Sequence, residues 1–497
     1  MSDAQVSDEL HWMSAAELAA AIRRRDVSSV EVLDHFVERI RELDGPVNAV
    51  VHWDLERAGS AALAADTAVA AGDDLGPLHG VPMTIKDSFQ TEGCITTSGS
   101  PELADHLPTE DAWPVARLRS AGAIPFAKTN LPLFADDIQS FNEVYGTTNN
   151  PHDLDRTPGG SSGGSSAALA MGFTPLELGS DIGGSIRVPA HYSGVMGHKP
   201  SYGIVPGHGQ IPGMPGTLTQ ADLAVVGPLA RTADDLDLAL DVLAGPDRWM
   251  SPAWTLDLPP TRADELGDFR IAAWIDDDAC RVDTDTRRVL GDTVDAISAA
   301  GATVDAEARP GFTLSKAMTV YGDLLFAALS GGVSKNRLDD LARVTDDTPT
   351  GWIMRATAAR HRDWLSNNER RLQIRERWAE FFTDFDAILL PVHPRPAFAH
   401  DHSRPQYERT VTIDGVERSY LDLWTWIAPA GLGALPATVV PVGSSTDGLP
   451  IGVQIVGPFL HDRTTIHLAR LISRIMSDRN GWSAACPRPD LATRRDA

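Results

Sequence analysis

Several things are scarce in this chain. Its 497 residues hold three cysteines, Cys94, Cys280 and Cys486. They are odd in number and far apart, so they draw neither a disulfide framework nor a zinc-binding spacing. No apolar run approaches the roughly 18 residues that cross a bilayer. The start, Met1 to Glu9, has neither the basic stretch nor the apolar one of a secretory signal. Lysine is scarce beside arginine, and cations as a group are outnumbered. The 43 Lys and Arg stand against 68 Asp and Glu, a formal charge of −25. That acidity opposes nonspecific nucleic-acid binding and reads as a solvated surface of a kind common in bacterial proteins. Together these shortages point to a cytoplasmic protein with no membrane and no nucleic-acid partner. Internal repeats and low-complexity tracts are also missing.

What is there is ordinary globular composition, 42% hydrophobic and 22% charged. Ser14-Ala-Ala-Glu17 and Ser28-Ser-Val-Glu31 fit the capping box, in which serine and glutamate satisfy each other's orphan amides. Behind the second, Val30, Leu33, Val37 and Ile40 recur at helical spacing. The sequence to about residue 75 therefore predicts amphipathic helices that pack on something larger. Gly80 to Asp87 reads as a short buried strand, Val115 to Ala121 as a helix and Ala123 to Ala127 as a strand. A helix follows the glycine-serine run, then a strand over Thr174 to Leu178, and a helix opens near Thr232. Strands return at Phe385 to Pro391, Ala437 to Val442 and Ile451 to Val456. Helices alternating with short apolar strands argue for an α/β sheet covered on both faces. Prolines from Pro246 to Pro260 mark a change of composition. Beyond them, residues 250–425 read as a helical excursion. The predicted organisation is one domain over 1–497: helices over 1–75, a core over 76–245, the excursion, a return to the core over 426–478, and a loose tail over 479–497.

Three stretches carry chemistry. Thr157-Pro-Gly-Gly-Ser161-Ser162-Gly-Gly-Ser165 has almost no side-chain bulk, which suits close backbone approach. A phosphate-cradling loop would end in Gly-Lys-Ser/Thr, which this run does not. Gly160-Ser-Ser-Gly-Gly164 also matches G-x-S-x-G, with Ser162 as nucleophile, but that pattern needs a strand before it and the preceding residues are polar. A plain linker would have less particular flanks. The reading that joins the stretches starts from Lys86, at the end of an apolar strand. Burial disfavours the ammonium, so such a lysine can serve as a base. A serine could relay its proton demand to an attacking hydroxyl. Ile182-Gly183-Gly184-Ser185 is a turn whose amides could receive an oxyanion.

These stretches, with Gly179 to Ala190, Gly197-His-Lys-Pro-Ser-Tyr-Gly203, Gly122 to Asn130, Asp386 to Pro391 and Gly448 to Gly457, resemble the amidase signature family. The likeness runs from about residue 10 to 475 and is weakest between 250 and 380. It implies a three-layer α/β/α fold with a large mixed, mostly parallel sheet. It implies an amidase that cleaves a carboxylic amide C–N bond through an acyl-enzyme on Ser185. Ser161, after a cis peptide bond, would be the proton relay and Lys86 the base. The amides of Ile182, Gly183, Gly184 and Ser185 would form the oxyanion hole. Neither metal nor organic cofactor is implied. Asp181 and Arg187 are expected to support the site, chiefly as a structural ion pair, and Ser185 to cap a helix as well. The acyl pocket is expected from Leu131, Ile138, Phe141, Tyr145 and part of the 250–425 excursion. His393, His400 and His402 read as solvated loop histidines rather than metal ligands. The expected partner is a small-molecule amide, with a homodimer left open. His191-Tyr192-Ser193, His198, Leu133 and Pro429-Ala430-Gly431 depart from the family's usual residues and leave the substrate class open. Competing functions are a carbamate or ester hydrolase with the same three residues, the glutaminase subunit of a tRNA-dependent amidotransferase, and a silent binding protein on the same fold.

Overall fold

The computed structural model describes residues 9–482 and 484–489, so residues 1–8 lie outside the described residues. Both capping boxes form. Ser14 Oγ accepts from the Glu17 amide at 3.1 Å, and the Glu17 carboxylate accepts from the Ser14 amide at 2.8 Å. They open the helix Ala15–Arg24, and Ser28 with Glu31 opens Ser29–Leu43 in the same way. Leu33, Val37 and Ile40 are buried, so the helical spacing marks the face that packs.

Eleven strands form one sheet. In chain order they are β1 (Val50–Trp53), β2 (Pro82–Lys86), β3 (Ile124–Thr129), β4 (Leu176–Asp181), β5 (Met196–Lys199), β6 (Val225–Ala230), β7 (Arg270–Ala273), β8 (Thr303–Asp305), β9 (Ala387–Pro391), β10 (Ala437–Ser444) and β11 (Pro450–Val456). Their spatial order is β1-β3-β2-β4-β6-β5-β10-β11-β9-β7-β8. The sheet is mixed. Strands β3, β2 and β4 run parallel on one flank, and β9, β7 and β8 on the other. Between them the pairings are antiparallel, as in the β10–β11 hairpin.

Alternate residues of a strand feed opposite cores. Ala387 and Leu389 join one apolar cluster, Ile388 and Leu390 the other. Ile451, Val453 and Ile455 join the first, and Val456 the second. Period-two side-chain alternation with apolar residues on both sides means that both faces are covered, which explains why these strands read as unbroken apolar runs.

The 250–425 segment is not all helix. It carries the long helices Thr284–Ala299, Leu314–Ala328 and His361–Phe381, but β7 and β8 also come from it. These strands have four and three residues, too few to show a period. Of the tail expected over 479–497, residues 483 and 490–497 lie outside the described residues. The last helix runs Asp462–Asn480, and Cys486 beyond it is buried.

Candidate active site

The parallel flank positions the chemistry. Lys86 is the last residue of β2 and has no exposed surface. Strand β4 lies alongside and ends at Asp181, from which the chain turns through Ile182, Gly183 and Gly184 to Ser185. The glycine-serine run enters between these two strand ends. Its Gly160–Ser161 peptide is cis. A Cβ on Gly160 would stand 2.7 Å from the backbone of Asp137 and Gln139, so no larger residue fits there.

Lys86 Nζ lies 2.7 Å from Ser161 Oγ and 3.1 Å from Ser180 Oγ. Burial draws the Lys86 ammonium down to about 7, against the opposing pull of the Asp181 and Glu177 carboxylates. Ser161, Ser180 and Ser185 all border one cavity. Ser162 does not. Its hydroxyl is fully buried and no strand leads into it, so the nucleophile-elbow pattern at this position is a chance match.

The turn before Ser185 is held from behind. Asp181 accepts from the amides of Gly184 (3.0 Å), Ile186 (3.2 Å) and Arg187 (3.3 Å), and from Arg187 Nε (3.0 Å) and Nη2 (2.9 Å). Burial works against the Asp181 charge. The guanidinium and the amides outweigh it and hold the carboxyl below its usual range. Arg187 Nη1 in turn donates to the Ile427 carbonyl and to Gln454 Oε1. Asp181 and Arg187 are thus the buried ion pair expected of them. Gly184 differs from the expectation. Its φ of +93° makes the turn, but its N–H is spent on Asp181 and is not free for an oxyanion. Ile182, Gly183 and Ser185 line the cavity, and Gly184 does not. Ser185 does not cap the following helix Arg187–Ser193, whose N-cap is Ile186.

The cavity wall corrects the predicted pocket. Ile138 lines it, whereas Leu131, Phe141 and Tyr145 do not. Leu131 is buried elsewhere, and Phe141 stacks on His402. The expected contribution of the 250–425 segment is present and forms the apolar wall: Leu325, Phe326, Leu329, Tyr407 and Trp424. The histidines also differ from expectation. His393 is fully buried, with Nδ1 2.5 Å from the Tyr192 hydroxyl, and His400 is half-buried. His191 accepts from the Gly452 amide at Nδ1 and donates from Nε2 to the Arg395 carbonyl, which makes it a neutral strut.

Sequence reasoning missed Ser180, Glu177 and Tyr321. Ser180 sits within the Gly179 to Ala190 motif and could have been found from its place on the strand beside Lys86. Glu177 is a fully buried carboxyl on the same strand, accepting from the Thr84 and Thr129 hydroxyls. Tyr321 has no local signal, since it reaches the site from a helix 139 residues away in sequence.

Comparison with known proteins decides the family. The Amidase family profile matches residues 31–466. The chain belongs to the amidase family. This amidase is 33% identical over 514 residues to the glutamyl-tRNA(Gln) amidotransferase A-chain protein of Acidothermus cellulolyticus, covering 97% of this chain and 98% of that protein. It is 31% identical over 477 residues to an acylamidase of Rhodococcus erythropolis, covering 93% and 94%. In structure it is similar to a bacterial aryl acylamidase of the amidase signature family, with a TM-score of 0.80 at 24% identity over 94% and 96% of the two chains. The fold is therefore the amidase signature fold, and the chemistry of the family is hydrolysis of an amide C–N bond. No helix among the described residues is long and apolar enough to cross a membrane.

Proposed function

We propose that this amidase hydrolyses a small-molecule amide through an acyl-enzyme on Ser185, with Ser161 as the proton relay and Lys86 as the base. The observation that carries the reading is the 2.7 Å line from Lys86 Nζ to Ser161 Oγ in a site that excludes water from the amine. A lysine titrating near 7 is neutral for much of the physiological range, so its lone pair can take the Ser161 proton along that line. Ser161 takes the proton of Ser185 as the Ser185 oxygen bonds to the carbonyl carbon. The carbonyl oxygen becomes an oxyanion and is received by main-chain N–H groups of the Ile182–Ser185 turn. When the C–N bond breaks, Ser161 returns a proton to the leaving amine. Water then attacks the ester by the same route and releases the acid, which restores Ser185 and the neutral lysine.

The same reading places the enzyme in a bacterial cytoplasm, acting without nucleic acid. Its three cysteines are free and buried, as thiols are in a reducing compartment, and its charge of −25 disfavours RNA. Recovery from membranes or in complex with tRNA would overturn that part.

The direct test of the chemistry is labelling by a fluorophosphonate serine probe. Wild-type protein should be labelled at Ser185 and the Ser185→Ala variant should not. Full amide turnover by Ser185→Ala would end the proposal.

A further inference from the structure

The cavity carries information about charge. Its apolar wall brings rings together: Phe326 meets Tyr407 edge-on at 5.5 Å between centroids, and Tyr407 lies 6.3 Å from Trp424. Leu325, Leu329 and Ile138 complete that side. Such a wall suits a ring or a branched alkyl group. Among the described residues, none that lines the cavity is a lysine, an arginine or a histidine. Three carboxylates do line it: Asp136, Asp137 and Asp181.

The three are not equivalent. Asp181 is neutralised by Arg187 at 2.9 Å, and Asp137 by Arg409 at 2.8 Å, with all four side chains fully buried. Asp137 also accepts from the Tyr420 hydroxyl at 2.9 Å. Asp136 is different. It is solvent-exposed at the rim, and its Oδ1 accepts only from neutral groups, Gln406 Nε2 at 3.1 Å and the Tyr407 hydroxyl at 3.3 Å. No cation among the described residues pairs with it. A substrate carboxylate entering this cavity would lose its water, find no cation and meet the like charge of Asp136. An anion buried without a partner is strongly disfavoured. A substrate cation would find a carboxylate ready to receive it.

We infer that the site selects amides by charge: it takes ring-bearing amides that are neutral or positively charged at the end away from the scissile bond and refuses those with a carboxylate there, with Asp136 as the discriminating residue. This rests on the amidase reading of Ser185. It separates the enzyme from a glutaminase, because free glutamine, besides its ammonium, brings a carboxylate for which the described cavity lining holds no cation. The Asp136 charge is in contact with water, so one charge pair at about 4 Å should change kcat/KM by roughly fivefold.

The test is a matched series of 3-phenylpropionamides, para-methyl, para-carboxylate and para-aminomethyl, with L-glutamine beside them. The methyl compound should be hydrolysed, the aminomethyl compound at least as well, the carboxylate at least tenfold less efficiently, and glutamine not detectably. Asp136→Asn should narrow the aminomethyl-to-carboxylate ratio of kcat/KM about 25-fold, about fivefold from each charged compound, and Asp136→Lys should reverse the preference. Equal turnover of the carboxylate and methyl compounds would overturn the inference, as would a ratio unmoved in Asp136→Asn. Failure of every ring-bearing member, with Ser185 still labelled by the serine probe, would overturn it and leave the proposed chemistry standing. Turnover that survives Ser185→Ala would instead remove the chemistry itself.

Discussion

The Tyr321 hydroxyl donates to the carbonyl oxygen of Ile182 at 2.5 Å. That carbonyl shares a peptide unit with the N–H of Gly183, and in a trans peptide the two point in opposite directions. Holding the oxygen therefore fixes the plane of that peptide and the direction of the N–H on Gly183, a residue that lines the cavity. The bond also polarises the peptide and strengthens the donor at its far end. Tyr321 is fully buried, which pushes its phenol pKa upward, so the hydroxyl keeps its proton and stays a donor.

Tyr321→Phe keeps the ring and deletes only this bond. Loss of a whole oxyanion donor costs a hundredfold or more in rate, so loosening one should lower kcat about tenfold with KM little changed. A boronic acid that mimics the tetrahedral state should lose affinity by the same factor, while a ground-state amide analogue should not. A residue that only packs would give the opposite pattern, a lowered melting temperature with kcat intact.

The pH profile tests the base. Lys86 is held near 7 by burial and is competent only when unprotonated. The rate should therefore rise with pH through about 7 and level off above it, lying about tenfold below the plateau at pH 6. The Glu177 carboxylate favours the charged form of Lys86 and is itself raised by burial to about 7, so the limb belongs to the pair. Glu177→Gln removes a negative charge and should move the limb to lower pH, raising the fraction of activity kept at pH 6. A profile flat down to pH 5, or a limb that moves upward in this variant, would contradict the assigned base.

How much of this was legible in the sequence depended on distance along the chain. Ser14 with Glu17 and Ser28 with Glu31 were readable because a capping box closes within four residues. Strand β2 was readable because both of its faces are buried. Lys86, Ser161 and Ser185 could be named because the stretches that carry them jointly resemble the amidase signature family. The pocket could not be read in this way. Leu131, Phe141 and Tyr145 are near the motifs in sequence, but the chain carries them past the cavity. The wall is built by Phe326, Tyr407 and Trp424, brought in by packing of remote helices and loops. Gly184 shows a finer limit: the sequence marks a tight turn, but only coordinates reveal that Asp181 has taken its amide.

Gly160 offers a steric test of the loop. A methyl group there would meet three backbone atoms at 2.7 Å, from Asp137, Ile138 and Gln139, none of which can swing aside as a side chain could. Gly160→Ala should displace the loop that carries Ser161 and reduce kcat by a hundredfold or more, because a shift of about 1 Å in a catalytic group has that scale of effect. Serine-probe labelling of Ser185 should slow in parallel. Unchanged kinetics would show that the segment is soft and does not fix Ser161.

The Asp181–Arg187 pair carries the last prediction. Asp181→Asn leaves the Arg187 guanidinium buried beside neutral acceptors, Gln454 and the Ile427 carbonyl. Removing one partner of a fully buried pair costs on the order of 3–5 kcal/mol, so this variant should unfold at markedly lower denaturant. Arg187→Met leaves the carboxylate with three backbone amides, which already stabilise its charge, and should be milder. The double variant should be less destabilised than the two costs summed, since no charge is left alone. Its activity should nevertheless stay low, because the asparagine side chain holds the Gly184, Ile186 and Arg187 amides less firmly than a carboxylate does. Denaturation midpoints and kcat measured on the same three proteins would separate these effects. Additive stability losses would mean that the two residues act independently and that the turn is shaped by something else.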